Sequence, residues 1–304
     1  MNILNYKFNI KILAFIIVSL FAFSCTDPKT SASDDDFSDN DTIKAVTLNV
    51  GGELFSIPSP IQTALLIQKS GITYDKSILN ENNKSSLYIS DFSKSLNLGI
   101  YGADLGYVSM YSQSQDALGY LASVKVLADK LGISAAFNQK MLTRIKDNIS
   151  IKDSMLVLVG VAYRASDSYL KTNKRTEISS LILTGGWIES IYFSIKAYEK
   201  KPTNEIKYRI AEQKQALNSL IKLLSSHSLT EASELINELN SLAQIFEGIT
   251  YKYVYVEPST DETKKLTYIN SSTNISISEE QLEKISEKIS DIRLKIINSK
   301  PSFN

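Results

Sequence analysis

Leu96-Asn-Leu-Gly-Ile-Tyr-Gly-Ala-Asp-Leu-Gly-Tyr-Val-Ser-Met110 is the stretch whose reading decides the fold. Leu96, Gly99, Ala103, Gly106 and Met110 recur at steps of three and four, the spacing of one helix face. Gly102 and Gly106 stand about one turn apart. Each glycine inside a helix costs about 1 kcal/mol relative to Ala. A helix that carries several therefore predicts close helix–helix approach or a kink. The pattern extends from about 86 to 131 and predicts a break near Ser112–Ser114. Tyr88, Tyr101, Tyr107, Tyr111 and Tyr120 decorate it. Leu118, Leu121, Val124, Leu127, Ala128 and Leu131 form an apolar stripe, and Gly132 suits a helix C-terminus.

Working outward, helices are predicted from near Ile61, after Ile57-Pro-Ser-Pro60, and over 134–149, 153–173, 176–199, 204–226 and 229–249. Ser134, Asp153, Thr230 and Ser233 are candidate N-caps. Ile206, Ile210, Leu217, Leu220, Ile221 and Leu224 give one apolar stripe; Leu235, Leu239, Leu242 and Phe246 give another. Val46, Leu48 and Val50 alternate with polar residues before Gly51-Gly52, which predicts a hairpin. Residues 250–256 alternate as well, with Leu266–Ile269 as the expected return strand. Ser278-Glu-Glu-Gln281 is a capping-box sequence that opens a last helix through Leu282, Ile285, Ile289, Ile292 and Ile296. The fold class is thus mainly α: a multi-helix bundle with one or two small β-hairpins near the ends of the body, expected to meet in one sheet. Gly102–Tyr107 and Gly185–Tyr192 both set Gly, a carboxylate and Tyr in apolar helix, a weak internal echo.

The first residues read as an address. Lys7 and Lys11 precede the apolar run Ile12–Phe23. Twelve residues make about 18 Å of helix, short of a bilayer core, as in a signal peptide. The run leads to Cys25, the single cysteine of the chain. Ala22-Phe-Ser-Cys25 resembles a bacterial lipobox, which implies acylation of Cys25 with fatty chains such as palmitate. Ala22-x-Ser24 also suits ordinary signal peptidase. Residues 26–42 hold six Asp and one Lys, a tether expected to stay unstructured. Ser33-Asp-Asp-Asp36 resembles the acidic export signal of surface lipoproteins. The organisation expected is residues 1–24 signal peptide, 25–42 lipidated Cys and acidic tether, 43–304 one mainly helical domain.

Composition excludes several classes. The 304 residues hold 33 Lys+Arg and 33 Asp+Glu, with one His and one Cys. One His and one Cys leave no multi-histidine or Cys-rich metal centre. Balanced charge gives no global pull on nucleic acid. No phosphate loop is present, since Gly51-Gly52 and Gly185-Gly186 extend to no glycine-rich motif. No Gly-x-Ser-x-Gly accompanies His227. No catalytic motif is found, so the reading leans away from an enzyme without deciding it, and no cofactor and no metal are expected. Asp104 and Glu189 are the carboxylates most embedded in apolar helix. With Tyr107 and Trp187 they form the candidate ligand-binding patch, and Tyr101, Tyr111, Tyr192 and Phe193 extend it as possible pocket walls. The bland alternative is core packing, with the acids satisfied structurally.

Ile57-Pro-Ser-Pro60, Leu96–Leu105 and Gly185-Gly-Trp-Ile-Glu189 together resemble a family of mainly helical lipoproteins of the Bacteroidota, one without an assigned activity. The resemblance implies a fold and a place in the cell envelope, on the periplasmic face of the outer membrane or the cell surface. It transfers no site. Three functions stay open: a lipid-anchored module that binds a ligand, an envelope protein or a glycan; an envelope hydrolase using paired carboxylates; a structural subunit of an outer-membrane assembly.

Overall fold

The centre of the fold is a pair of helices whose backbones touch. This computed structural model describes residues 46–50, 53–57, 60–227 and 229–298. The signal segment, Cys25 and the acidic tether lie outside the described residues. Strands β1 (Val46–Val50) and β2 (Glu53–Ile57) pair antiparallel, Val50 opposite Glu53, as Gly51-Gly52 predicts. Helix α1 (Pro60–Lys69) follows, then two 3-10 turns at Lys76–Ile78 and Asn82–Ser86. Helices α2 (Asp91–Met110) and α3 (Ser114–Lys130) meet at Ser112, whose φ of 54° is left-handed, so the expected break is where the sequence puts it. Ser90 starts α2 by accepting from the Ser93 N–H at 3.1 Å.

Next come α4 (Gln139–Asp147), α5 (Lys152–Thr172) and α6 (Thr176–Lys200). Helices α7 (Asn204–Ala211), α8 (Gln213–Ser225) and α9 (Ser233–Glu247) precede the second β segment. There β3 (Thr250–Val254), β4 (Ser259–Asp261), β5 (Leu266–Tyr268) and β6 (Ser272–Ser276) form one long arm. Helix α10 (Glu279–Ile297) closes the chain, and Ser278 and Gln281 make the capping box the sequence predicts. The architecture is mainly α, with ten α-helices and three two-stranded sheets among the described residues.

Several expectations are corrected. The hairpins do not share a sheet: β1 pairs with β2, β3 with β6, and β4 with β5. Leu266–Tyr268 is not the partner of β3; it returns on Ser259–Asp261, and Thr250 stands opposite Ser276 instead. The expected helix 134–149 is a 3-10 turn followed by α4, which Asn138 caps by accepting from the Met141 N–H. The helix expected over 204–226 divides at Glu212. The N-cap of α5 falls on Ile151, not Asp153, and that of α9 on Ala232.

Helices α2 and α6 are buried on nearly every side. By length and composition α6 could cross a membrane, yet 83% of its most apolar window is packed inside the protein. A helix apolar all round can be either a span or a core, and that burial makes α6 a core helix. Leu96 and Gly99 meet Gly185 and Ile182, and farther along Tyr107 stacks on Phe193 with ring centroids 4.8 Å apart. Contacts that advance together on both helices mean the two run parallel. At the crossing a Cβ on Gly99 would fall on the Ile182 carbonyl oxygen and 2.6 Å from the Gly186 nitrogen. A Cβ on Gly185 would fall on the Leu96 carbonyl oxygen and 2.8 Å from its carbon. The contact is reciprocal, as across a local two-fold axis. It sets each glycine Cα–H toward the other helix's carbonyl, a weak hydrogen bond of about 0.5–1 kcal/mol. Glycine is thus required by close approach here.

Candidate functional site: a buried acid pair and an apolar cleft

The crossing places Asp104 on α2 and Glu189 on α6 one turn beyond it, both fully buried. The bundle brings the two predicted acids into one cluster and adds a residue the sequence reading missed. Arg293 on α10 donates through Nε to Glu189 Oε2 at 2.6 Å and through Nη2 to Oε1 at 2.7 Å. This is a bidentate fork, the geometry Arg makes best with a carboxylate. Nη2 also donates to the Ile78 carbonyl at 2.9 Å, and the guanidinium lies 4.1 Å over the Tyr192 ring. Burial alone would lower Arg293; the Glu189 charge and its hydrogen bonds outweigh it and hold the cation firmly protonated. Arg293 has a signal in the sequence. It lies four residues after Ile289 and three before Ile296, on the apolar stripe.

Asp104 has no such partner. Its carboxyl oxygens make no well-aligned hydrogen bond among the described residues; the Glu189 carboxyl and the Asn80 backbone N–H are the polar groups beside them. Burial, and next the negative charge of Glu189, push its carboxyl well above the ordinary range, and Arg293 offsets this in part. The site accommodates the neutral acid. Around it Asn80 Nδ2 donates to Tyr88 Oη at 3.0 Å, Tyr120 donates to the Asn80 carbonyl at 2.8 Å, and Tyr101 donates to the Glu81 carbonyl at 2.7 Å. Burial raises all three tyrosine hydroxyls.

This predicts a pH dependence. A proton bound more tightly in the folded chain than in the unfolded one makes stability fall as pH rises. Asp104 therefore contributes most stability below the ordinary carboxylate value and loses it as pH rises toward its own elevated one. Within that window the slope is about 1.4 kcal/mol per pH unit. Asp104→Asn keeps shape and removes the proton. Urea melts between pH 4 and 8 are expected to show a flatter profile for Asp104→Asn than for wild type, with the variant gaining most at the alkaline end.

The other predicted residues are equally enclosed. Trp187 is 1% exposed and donates through Nε1 to Gln213 Oε1 at 3.0 Å. Tyr107 is 1% exposed, and its hydroxyl accepts from the Asp75 N–H at 3.2 Å. Asp104, Tyr107, Trp187 and Glu189 line neither of the two described cavities. A glycan or a scissile bond has no described route to the carboxylate pair. All four are buried in the core. His227 lies 2.9 Å from Ser180 Oγ, but that hydroxyl also donates to the Thr176 carbonyl, and no carboxylate orients the ring among the described residues. No group of three metal-binding side chains occurs among them either.

The open space lies elsewhere. A half-open cleft between α2, α3, α4 and α5 holds about 90 Å³ of free interior space. Leu98, Leu105, Leu121, Val124, Ile145 and Val159 are among its walls. Leu121 and Val124 belong to the apolar stripe read from sequence; they pack against the core at the margin of this cleft. The polar groups that reach the cleft are already engaged. Tyr163 donates to the Gly99 carbonyl at 3.0 Å, Ser166 to the Ala162 carbonyl at 3.0 Å, and Ser134 to Asp129. Lys125 pairs with Asp129 at 3.2 Å. The lining is apolar apart from one ion pair and three hydroxyls.

Comparison of the chain with protein-family profiles, curated proteins and solved structures finds no match.

Proposed function

We propose that this chain is a lipid-anchored protein of a bacterial outer membrane, held through Cys25, whose helical body binds an amphiphile with a long apolar chain and does not turn it over. The observation that carries the binding reading is the cleft. Its free interior of about 90 Å³ is narrow and walled almost wholly by hydrocarbon, which suits a slender apolar chain better than a bulky ligand. Because Tyr163, Ser166 and Ser134 already donate their protons to protein oxygens, acceptor groups of a polar ligand would go unpaired against them, at a cost of about 1–3 kcal/mol each. A hydrocarbon chain has no such cost, and the Lys125–Asp129 pair can meet a polar head. The basic start, the apolar run and the lone Cys25 support the anchor. The side of the membrane is the periplasmic face or the cell surface.

Titration with a fluorescent fatty acid tests this reading. Wild type is expected to bind saturably. Ala162→Phe, which fills the cleft from α5, is expected to weaken binding by about tenfold or more, the loss of roughly 1.4 kcal/mol, with little change in melting temperature. Equal binding by both proteins would sink it. Metabolic labelling with a palmitate analogue, absent in Cys25→Ala, tests the anchor separately.

A further inference from the structure

The segment Thr250–Ser276 forms a two-stranded arm. All of Tyr251–Thr260 is exposed. Fourteen large hydrophobic side chains are exposed among the described residues, and eight of them fall between Tyr251 and Ile269. That concentration marks an interaction surface, because scattered apolar residues are normal and a cluster is not. A hairpin of two strands is marginal by itself in water, and three or more strands hold far better. Strand β3 pairs with β6 on one side, and its other edge has no partner strand among the described residues. Such edges are usually blunted by lysine, proline or a bulge. Here Lys252 alone stands within the strand, and Pro258 comes after it.

The edge itself says what fits it. Thr250-Tyr-Lys-Tyr-Val-Tyr-Val256 is nearly symmetric about Tyr253. Laid antiparallel on a second copy, Tyr253 faces Tyr253, Tyr251 faces Tyr255, and Lys252 faces Val254. Side chains alternate along a strand, so the three tyrosines share one face, and aromatic cross-strand pairs are favourable. A register centred on Lys252 would oppose two cations. Lys252, Lys264 and Lys265 balance Glu257, Asp261 and Glu262 on the arm, so two copies meet without net repulsion and a charged polymer gains nothing. Tyr253 and Tyr255, 63% and 67% exposed, and Tyr251, whose hydroxyl donates to the Ala211 carbonyl at 2.6 Å, are the side chains such a pairing would bring together.

We propose that the open edge of β3 pairs with β3 of a second copy across a two-fold axis at Tyr253, joining the arms into a four-stranded sheet and making the protein a homodimer. The pairing is isologous and closes on itself. It stands independently of the ligand reading.

Disulfide trapping tests it in the full chain carrying Cys25→Ser, in detergent. Residues directly opposite in antiparallel strands have Cα atoms about 4.5–5.5 Å apart, within disulfide reach. Tyr253→Cys is expected to give a crosslinked dimer on mild oxidation, whereas Thr263→Cys, beyond the paired strands, remains monomeric. Sedimentation equilibrium reads the same contact without a crosslink. Tyr253→Asp sets two like charges at the axis and is expected to weaken the dimer about tenfold or more, with the helical circular dichroism melt unchanged. A wild-type monomer, equal crosslinking at both positions, or a Tyr253→Asp chain that dimerises as wild type would overturn the proposal.

Discussion

Gly99→Ala and Gly185→Ala are each expected to lower the melting temperature by roughly 6–12 °C. The reason is backbone geometry, not side-chain volume. At both positions a new methyl would collide with a carbonyl group of the facing helix, and a helix carbonyl is fixed by its own ladder. Overpacking a core commonly costs about 1–3 kcal/mol, with larger values where nothing can yield. Taking about 4 kcal/mol for a methyl driven into an unyielding carbonyl and returning about 1 kcal/mol of helix propensity leaves a net loss of roughly 3 kcal/mol. For a body of this size each kcal/mol moves the midpoint by about 2–4 °C. Gly106→Ala is the control. Its Cβ would meet Ile61 at 3.5 Å, an ordinary contact, so that chain keeps the propensity gain and melts at or slightly above wild type. Thermal melts of the three chains decide it. A Gly99→Ala chain as stable as Gly106→Ala would mean that α2 and α6 do not touch as described.

The sequence makes the central helices legible because period and glycine agree. Leu96, Gly99 and Ala103 share a face, and glycines there are tolerable only beside another backbone. Which glycine of α6 answers Gly99 is not legible. The echo read from sequence aligned Gly102 with Gly185, whereas Tyr107 against Phe193 keeps the same offset as Gly99 against Gly185. Helix breaks are readable where a residue marks them. Ser112 and its polar neighbours end α2 visibly, but the division at Glu212 passes unmarked, since Ile210 and Leu217 continue one apolar stripe across it. The arm was misread for a related reason. Residues 257–276 are rich in Ser, Thr and Asn throughout, so several return strands satisfy the same alternation, and pairing is fixed by register that composition does not encode. Asp104 and Glu189 were visible as acids in apolar helix. Their cation was readable only from its place on the apolar stripe between Ile289 and Ile296, in a helix otherwise full of alternating charge. The cleft was hidden more deeply, because a residue lining a void and one packed in a core carry the same period.

Arg293→Met is expected to be the most damaging single change outside the crossing, at about 3–5 kcal/mol. Glu189 is fully buried and both its oxygens rest on Arg293. Removing the cation strands that charge in the core, next to an Asp104 that already lacks a well-aligned hydrogen bond. The Ile78 carbonyl and the Tyr192 ring lose their contact with the guanidinium at the same time. Net worth and breakage cost differ, since bringing both ions out of water offsets much of their attraction. The double variant Glu189→Leu plus Arg293→Met is therefore expected to recover most of the loss, and a double-mutant cycle should give a coupling of several kcal/mol. Protonation offers a second rescue. Asp104, already pushed up by burial, loses the one charge that offsets this and is held neutral more firmly, so the single variant should lie closer to wild type at pH 5 than at pH 8. Denaturant melts at both pH values read this directly. A uniform deficit at both would assign the cost of losing Arg293 to packing on Tyr192 and not to stranded charge.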